Sequence, residues 1–455
     1  NEEGKLVSIR TSALEEQATG AQMIVLLCES LEEHFFPYVQ RAASALAPLS
    51  TTSVHDDVRS YCMAAMPELV MSTAKSLAAT HAHAPEQRFE PLRQILEFFS
   101  GKLIQAIETE GMLELLMTAM QSLKQCIENA CRIDWSSTAA PAVSTGGSSG
   151  ATLRALRSRT PLVPATSQNL LSEEMLRSIS ETLLKCLAGS VQRRAVRRAE
   201  ATTDEDFDEE EEVKHMMAGQ EEEELQFNIS EVLGALLKTH GEAYLPVFGN
   251  TWLPRLVDMG HPNCLLADRK LASYILCDVL EYCGESTATL LPHIMPALFA
   301  ACDSDEPSLR QPAAYGLSVA AAGLPVAFGQ GGQYLEQALQ HLCTAVQLPN
   351  ARQGAQESAT DNVVAAIGQI CLHHGAHPVL QKDGDQLWNL YLGYLPMRGD
   401  QEEAAKVMMQ LAQIARSGDP NVVGHGVGRL GRMVALLAAS VGEPGTTDTM
   451  HQEIA

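Results

Sequence analysis

Apolar residues along this chain recur mainly three and four positions apart, in runs separated by short polar breaks. In HDDVRSYCMAAMPELV (55–70) they fall on one stripe, namely Val58, Cys62, Ala65, Met66 and Leu69. DEPSLRQPAAYGLSVAAAGL (305–324) has the same form, with Leu309, Ala313, Gly316, Leu317 and Ala320. This spacing is typical of helices with one buried face. The pattern therefore predicts amphipathic α-helices over nearly the whole length.

These helices also repeat at a regular interval. If Arg269, Arg310, Asn362 and Glu403 are equivalent positions, the intervals between them are 41, 52 and 41 residues. A period of about 40–47 residues with two helices per unit is typical of HEAT or armadillo arrays. The sequence therefore predicts an all-α fold, an α-solenoid (superhelix) of HEAT repeats with about eight helical hairpins.

Proline marks the helices that precede these segments. YLPVFGNTWLPRLVDM, ATLLPHIMPALFAAC and QLWNLYLGYLPM each carry Pro at or within the predicted helix. Proline removes an internal hydrogen bond and bends a helix. We interpret its recurrence as the mark of the first helix in each pair.

The repeats divide the chain into five predicted regions. Residues 1–134 form HEAT repeats, and 135–168 form a flexible Ser/Gly/Pro-rich loop, because this segment has too few apolar residues to order itself. Residues 169–240 form a repeat with a long helix and a basic-to-acidic insert at 192–224. Residues 241–440 continue the repeats, and 441–455 form a frayed tail. Since the sequence starts NEEGKLVSIR without Met, we expect a segment of a longer protein.

Composition narrows the class of protein. Apolar residues make up 45% of the chain and aromatic residues only 5%, which favours helices packed through aliphatic side chains. Most of the eleven cysteines lie in apolar helical contexts, and none has zinc-ligand spacing, so we expect reduced thiols in the core. No run reaches the roughly 18 apolar residues of a membrane span. We find no phosphate-binding loop or nucleophile elbow, and expect neither an enzyme nor a cofactor.

Acidic charge is concentrated in one segment. The formal net charge is −24, and residues 204–224 hold 12 acids and one Lys. Asp204, Asp206 and Asp208 match the first ligands of a calcium loop, but Glu209 and His215 replace the required Gly and bidentate Glu. Catalytic carboxylates need burial or a fixed pocket, which a run of adjacent acids does not indicate. The segment is therefore predicted to be a solvated surface element, without a metal.

Two interpretations of this segment remain open. It is either a flexible loop paired with the arginines just before it, or a loop that contacts a basic partner. In the second case the contacting residues are Asp204, Glu205, Asp206, Asp208, Glu209, Glu210, Glu211 and Glu212.

Further acids lie near the predicted starts of the second helices. They are Glu15, Glu16, Asp268, Asp305, Asp361, Glu402 and Glu403. At any single position we favour a structural role, as a helix cap or an inter-repeat partner. Together they are also candidates for a negative face that holds a basic partner. Arg59, Arg269 and Arg310 are interpreted as residues of an inter-repeat ladder.

Four segments carry a family resemblance: SALEEQATGAQMIVLLCESLEEHFFPYV, HDDVRSYCMAAMPELV, DSDEPSLRQPAAYGLSVAA and LPMRGDQEEAAKVMMQL. The chain resembles the C-terminal half of an importin-β superfamily receptor, closest to the karyopherin-β3 (importin five) branch, from about Leu6 to Val434. Segment 135–168 departs from the family, which has only a short connection there. The basic-to-acidic segment VQRRAVRRAEATTDEDFDEEEEV matches a family element.

The resemblance implies a nuclear import receptor that shuttles between cytoplasm and nucleus through the nuclear pore. Its implied partners are basic protein cargo (ribosomal-protein or histone-like), the Ran GTPase, whose GTP form releases cargo, and FG-repeat nucleoporins. No nucleic acid or membrane partner is implied, and a monomer is expected. Two alternatives stay open: a HEAT-repeat scaffold subunit, and an acidic chaperone of basic proteins without a transport cycle.

Overall fold

A computed structural model of the chain describes residues 11–80, 85–132, 170–203, 209–330, 333–418, 420–423 and 428–440. Within these ranges every regular element is a helix. Contacts divide the described residues into two units: unit 1 ends at Trp252, and unit 2 begins at Leu253. The predicted loop 135–168 and tail 441–455 lie outside the described residues.

Unit 1 is built from helical hairpins. Its helices in the described ranges are α1 (Thr11–Leu31), α2 (Phe36–Thr52), α3 (Asp56–Thr80), α4 (Pro85–Thr109), α5 (Leu113–Cys131), α6 (Glu173–Thr203) and α7 (Glu209–Thr251). Helices α2 and α3, α4 and α5, and α6 and α7 pack as pairs. Helices α1, α3, α5 and α7 also follow one another as neighbours in one layer. Helix α7 is kinked at His240.

Unit 2 has the same plan. Its described helices are α8 (Leu253–Met259), α9 (Leu266–Cys283), α10 (Leu291–Cys302), α11 (Pro307–Gly323), α12 (Gln333–Val346), α13 (Glu357–His373), α14 (Pro378–Tyr394), α15 (Gln401–Ser417), α16 (Pro420–Val423) and α17 (Gly428–Ser440). Helices α10 and α11, α12 and α13 pair as hairpins, and α13 also packs on α14. The second helices α9, α11, α13 and α15 lie side by side as one layer.

The predicted apolar stripes form the core. Val58, Cys62, Ala65, Met66 and Leu69 of α3 are all 0% exposed. The stripe of α11 is buried as well. Burying one such large apolar side chain contributes about 1.5–3 kcal/mol, so these stripes hold the layers together. Spacing alone predicted these core positions correctly.

Proline does not distinguish the two helices of a hairpin. Pro67 lies inside α3 and Pro312 inside α11, both second helices. Pro396 follows α14, which ends at Tyr394. The interpretation of proline as a mark of first helices is therefore wrong, because a second helix also accommodates a proline.

Two of the predicted ladder arginines link successive repeats. Arg59 Nη1 donates to Ser53 O over 3.3 Å, and Arg310 Nη1 donates to the matching carbonyl of Ser304, in each case six residues earlier. Each arginine also reaches the turn of the next repeat: Arg59 Nε lies 3.3 Å from Glu110 Oε2, and Arg310 Nη2 donates to Gln356. The ladder role is confirmed for this pair.

The chemistry of the cysteines follows from their burial. All eleven thiols are free, and none is exposed. Burial raises the pKa of Cys62 to about 11, so this thiol stays protonated at neutral pH.

No helix in the described ranges combines the length and apolarity needed to cross a membrane.

Candidate functional site: an acidic groove in unit 2

A groove of about 360 Å³ runs across the layer of second helices in unit 2. All four helices of that layer contribute to it, together with the residue just before α15. Its lining consists of Tyr274, Cys277, Asp278, Gln311, Pro312, Tyr315, Asn362, Asp400, Glu402, Glu403 and Lys406.

Asp400 connects three of these helices. Its Oδ1 accepts from the backbone N–H of Glu403 over 3.0 Å, which caps α15. Its Oδ2 accepts from Gln311 Nε2 of α11 over 3.1 Å and from Asn362 Nδ2 of α13 over 2.9 Å. Because both oxygens have partners, this carboxylate holds a fixed position in the groove.

Asp361 in turn holds the turn that carries Asp400. Its Oδ2 accepts from the backbone N–H groups of Arg398, Gly399 and Asp400, over 3.0, 2.7 and 3.0 Å. Burial raises the pKa of Asp361, although these hydrogen bonds oppose the shift. A Cβ on Gly399 would lie 2.5 Å from Ser358 N, so only glycine fits this approach. The turn before α15 is thus fixed against α13.

Two tyrosines line the side of the groove formed by α9 and α11. Tyr274 is 49% exposed, and burial of the remainder raises the pKa of its phenol. Tyr315 is half-buried, and its hydroxyl donates to Glu281 Oε2 over 2.6 Å. The two helices approach closely beneath them, because Gly316 leaves room for Cys277.

The lining is strongly acidic. It includes four carboxylates, on Asp278, Asp400, Glu402 and Glu403, and one ammonium, on Lys406, which gives a formal charge of −3. Lys406 Nζ lies 2.8 Å from Glu402 Oε1 and 3.7 Å from Glu403 Oε2. Carboxylates beside tyrosine rings suit a cationic side chain, through charge attraction and cation–π contact.

The predicted acids near helix starts do not form one cluster. Glu402 and Glu403 line the groove, and Asp361 supports it from below. Asp268 is buried in the first turn of α9, and Asp305 is exposed before α11; neither lines the groove. Glu15 and Glu16 are exposed on α1 of unit 1. Their role as partner contacts stays a prediction.

The acidic block begins outside the described residues and continues into α7. Asp204, Glu205, Asp206 and Asp208 lie outside the described residues, and Glu209, Glu210, Glu211 and Glu212 form the first turn of α7. Within the predicted insert 192–224, α6 continues to Thr203 and α7 begins at Glu209, so much of that segment is helical.

The second acidic run (Glu221–Glu224) does meet the preceding arginines. Glu222 is 0% exposed, and its two oxygens accept from Arg193 Nε over 2.6 Å and Nη2 over 2.8 Å. Arg197 Nη2 also donates to it, over 3.2 Å. Burial alone would raise the pKa of Glu222, but hydrogen bonds from Arg193 and Ser190 and the two guanidinium charges bring it below its usual value.

Sequence reasoning missed Tyr274, Asp278, Tyr315 and Asp400 as groove residues. Two signals were present. Tyr274 and Tyr315 each follow a predicted ladder arginine by five residues, and Asp400 precedes α15 at the position where capping residues lie. In the described ranges no group of three His, Cys, Asp or Glu side chains is arranged to hold a metal ion. Because carboxylates and tyrosine rings line it, the groove is a candidate binding surface.

Comparison with known proteins adds a family context. Residues 161–259 match the family model described as Importin repeat 6. Importin subunit beta-3 of Saccharomyces cerevisiae is 24% identical over 430 residues, which cover 92% of this chain and 33% of that protein. A probable importin-5 homolog of Dictyostelium discoideum is 26% identical over 193 residues, 42% of this chain and 17% of that protein. The chain thus spans about a third of the yeast relative.

Solved structures show the same architecture. The karyopherin Kap121p bound to the SUMO protease Ulp1p superposes with a TM-score of 0.62 at 20% identity, covering 98% of this chain and 37% of Kap121p. Kap121p bound to Nup53p gives 0.62 at 18% identity, covering 99% and 38%. These comparisons confirm the predicted solenoid fold and the resemblance to the importin-β superfamily, on its karyopherin-β3 (importin five) branch.

Proposed function

We propose that this chain is part of a nuclear transport receptor that carries basic protein cargo through the nuclear pore and releases it when RanGTP binds. The observation that carries the proposal is the acidic groove on the second helices of unit 2. The relatives described above are importins, which supports the transport role. Kap121p, the structural neighbour, has been solved with the protein partners Ulp1p and Nup53p.

The proposed cycle assigns the remaining partners. Basic cargo binds in the cytoplasm, the receptor passes the pore through contacts with FG-repeat nucleoporins, and Ran in its GTP form displaces the cargo in the nucleus. The net charge of −24 favours basic partners and disfavours nucleic acid.

A pull-down tests this cycle. The full-length protein that contains this chain is immobilised with a basic cargo such as a histone, and washed with Ran loaded with GTP or with GDP. We expect release by the GTP form alone. Cargo retention that is equal in both arms would contradict the transport cycle and favour an acidic chaperone without transport cycling.

A further inference from the structure

Lys406 occupies the acidic groove as a cation of the chain itself. We propose that one lysine or arginine side chain of a basic protein segment binds this groove and replaces Lys406 beside Glu402 and Glu403. The inference takes from the proposed function only the choice of a basic protein as partner; the binding position is argued from the groove.

Displacement of Lys406 from Glu402 requires little free energy. The Lys406 side chain is 43% exposed and that of Glu402 is 83% exposed, so their ion pair is largely solvated, whereas the Glu403 side chain, 3.7 Å from the ammonium, is only 11% exposed. Exposed pairs of this kind stabilise by about 0–1 kcal/mol. An incoming cation with further contacts can therefore compete for the same carboxylates.

Those further contacts lie on α9. Tyr274 and Asp278 are four residues apart and so lie on one face of the helix, and both line the groove. The half-exposed ring of Tyr274 offers a cation–π surface, and Asp278 adds a negative charge close to it. A basic side chain in the groove would meet these groups on one side and the acids of α15 on the other.

The groove is also formed in advance. Asp361 fixes the turn before α15, and Asp400 joins α11, α13 and α15 through hydrogen bonds. A site that needs no reordering loses less free energy on binding. A basic segment is therefore the occupant that charge, aromatic surface and rigidity together favour.

The test measures fluorescence anisotropy of a labelled peptide of alternating Lys and Ser, titrated with the full chain at low ionic strength. Lys406→Met should tighten binding about threefold, because it removes the competing ammonium. Asp278→Asn with Glu402→Gln should weaken binding about tenfold, and Tyr274→Ala about threefold without any change of charge.

Matched controls separate the groove from the general negative field. Lys382→Met on α14 changes the net charge by the same amount as Lys406→Met. The double variant Glu174→Gln with Glu336→Gln, on α6 and α12, removes two negative charges, as Asp278→Asn with Glu402→Gln does. All three side chains are exposed. We expect each control to shift the Kd by less than about twofold.

Three results would overturn the inference: no peptide binding at low ionic strength, no tightening by Lys406→Met, or groove variants that behave like their controls. Circular dichroism of each variant checks that the helices are intact, and Tyr274→Ala, a change at a half-exposed side chain, keeps the test decisive if another variant unfolds. The pull-down with RanGTP described above is an independent test. Peptide binding in the groove without Ran-dependent release of cargo would contradict the transport cycle but not the binding site proposed here.

Discussion

The run Glu221–Glu224 of unit 1 and the groove of unit 2 are both acidic, but their carboxylates have different surroundings. In unit 1, Glu222 is buried and accepts hydrogen bonds from two arginines of the paired helix α6. In unit 2, Glu402 is exposed and shares one lysine with Glu403. The first arrangement satisfies the acid within the fold, whereas the second leaves the Glu402 carboxylate at a surface.

This difference shows why a local count of acids is a poor measure of binding capacity. A buried carboxylate has to be paired, because an unpaired charge away from water is strongly unfavourable. An exposed carboxylate remains solvated and can exchange its partner. Glu402 of the groove is therefore a better candidate for an external cation than Glu222, although the run in unit 1 is the more conspicuous in the sequence.

The largest effect is expected for Glu222→Gln, which removes the charge that Arg193 and Arg197 share. We expect unit 1 to lose about 2–3 kcal/mol, less than the roughly 3–5 kcal/mol for breaking a fully buried pair, because both arginines are partly exposed. Amide hydrogen exchange of α6 and α7 measures this loss locally. Glu223→Gln, at an exposed neighbour, is the control, and equal protection in both variants would show that the Glu222 pairing does not stabilise the unit.

Gly316→Ala tests the packing under the groove. An added Cβ would lie 2.7 Å from Cys277 Sγ and 3.1 Å from Leu298 Cδ1, so α9 and α11 must separate. We expect unit 2 to lose about 1–3 kcal/mol, seen as a lower Tm. Gly323→Ala, near the end of the same helix, meets no atom within 4 Å and should leave the Tm equal or slightly higher. A similar fall in both variants would mean that close helix approach is not the cause.

Acidification should lower the stability that Glu222 contributes to unit 1. Because the folded-state pKa of Glu222 is lowered, its contribution to stability is present above the unfolded pKa of about 4.3 and is lost as pH falls through the folded value. Thermal denaturation from neutral to acidic pH should show a loss in the wild type that Glu222→Gln lacks. We expect a difference of about 1 kcal/mol near the acidic end. Parallel pH profiles for the two proteins would contradict the assigned ion pair.

The smallest effect is expected for the block Asp204–Glu212. Its replacement by Ser and Gly should weaken a basic partner by about threefold at low salt and hardly at all near 1 M salt, where the Debye length is about 3 Å. The affinity is compared with that of a variant in which the same nine residues are permuted, which keeps the charge. Unchanged affinity at low salt would favour the other interpretation, a flexible loop paired with the arginines just before it.

Much of the fold could be predicted from spacing alone. The stripe from Val58 to Leu69 is buried, and the ladder positions Arg59 and Arg310 bond to matching carbonyls, because helical period and repeat length are properties of the sequence itself. The proline rule failed, since proline is compatible with helices of both layers.

The site was less accessible to prediction. The sequence predicted Glu402 and Glu403 as partner contacts, but it grouped them with other acids near helix starts that do not line the groove. Asp278 belongs to the groove because α9 packs beside α11, and that contact depends on Gly316 and Cys277 meeting across two repeats. A pattern read along one helix does not contain this information.

The sequence by itself determined the helices, their buried faces, the repeat length and the excess of acid, because each depends on residues close together in the chain. Only the tertiary structure decided which acids are neutralised and which face solvent. Glu222 and Glu402 are both glutamates in helical, acid-rich segments. Glu222 meets two arginines of the neighbouring helix α6, whereas Glu402 lies at a groove and its lysine partner, Lys406, is on its own helix α15.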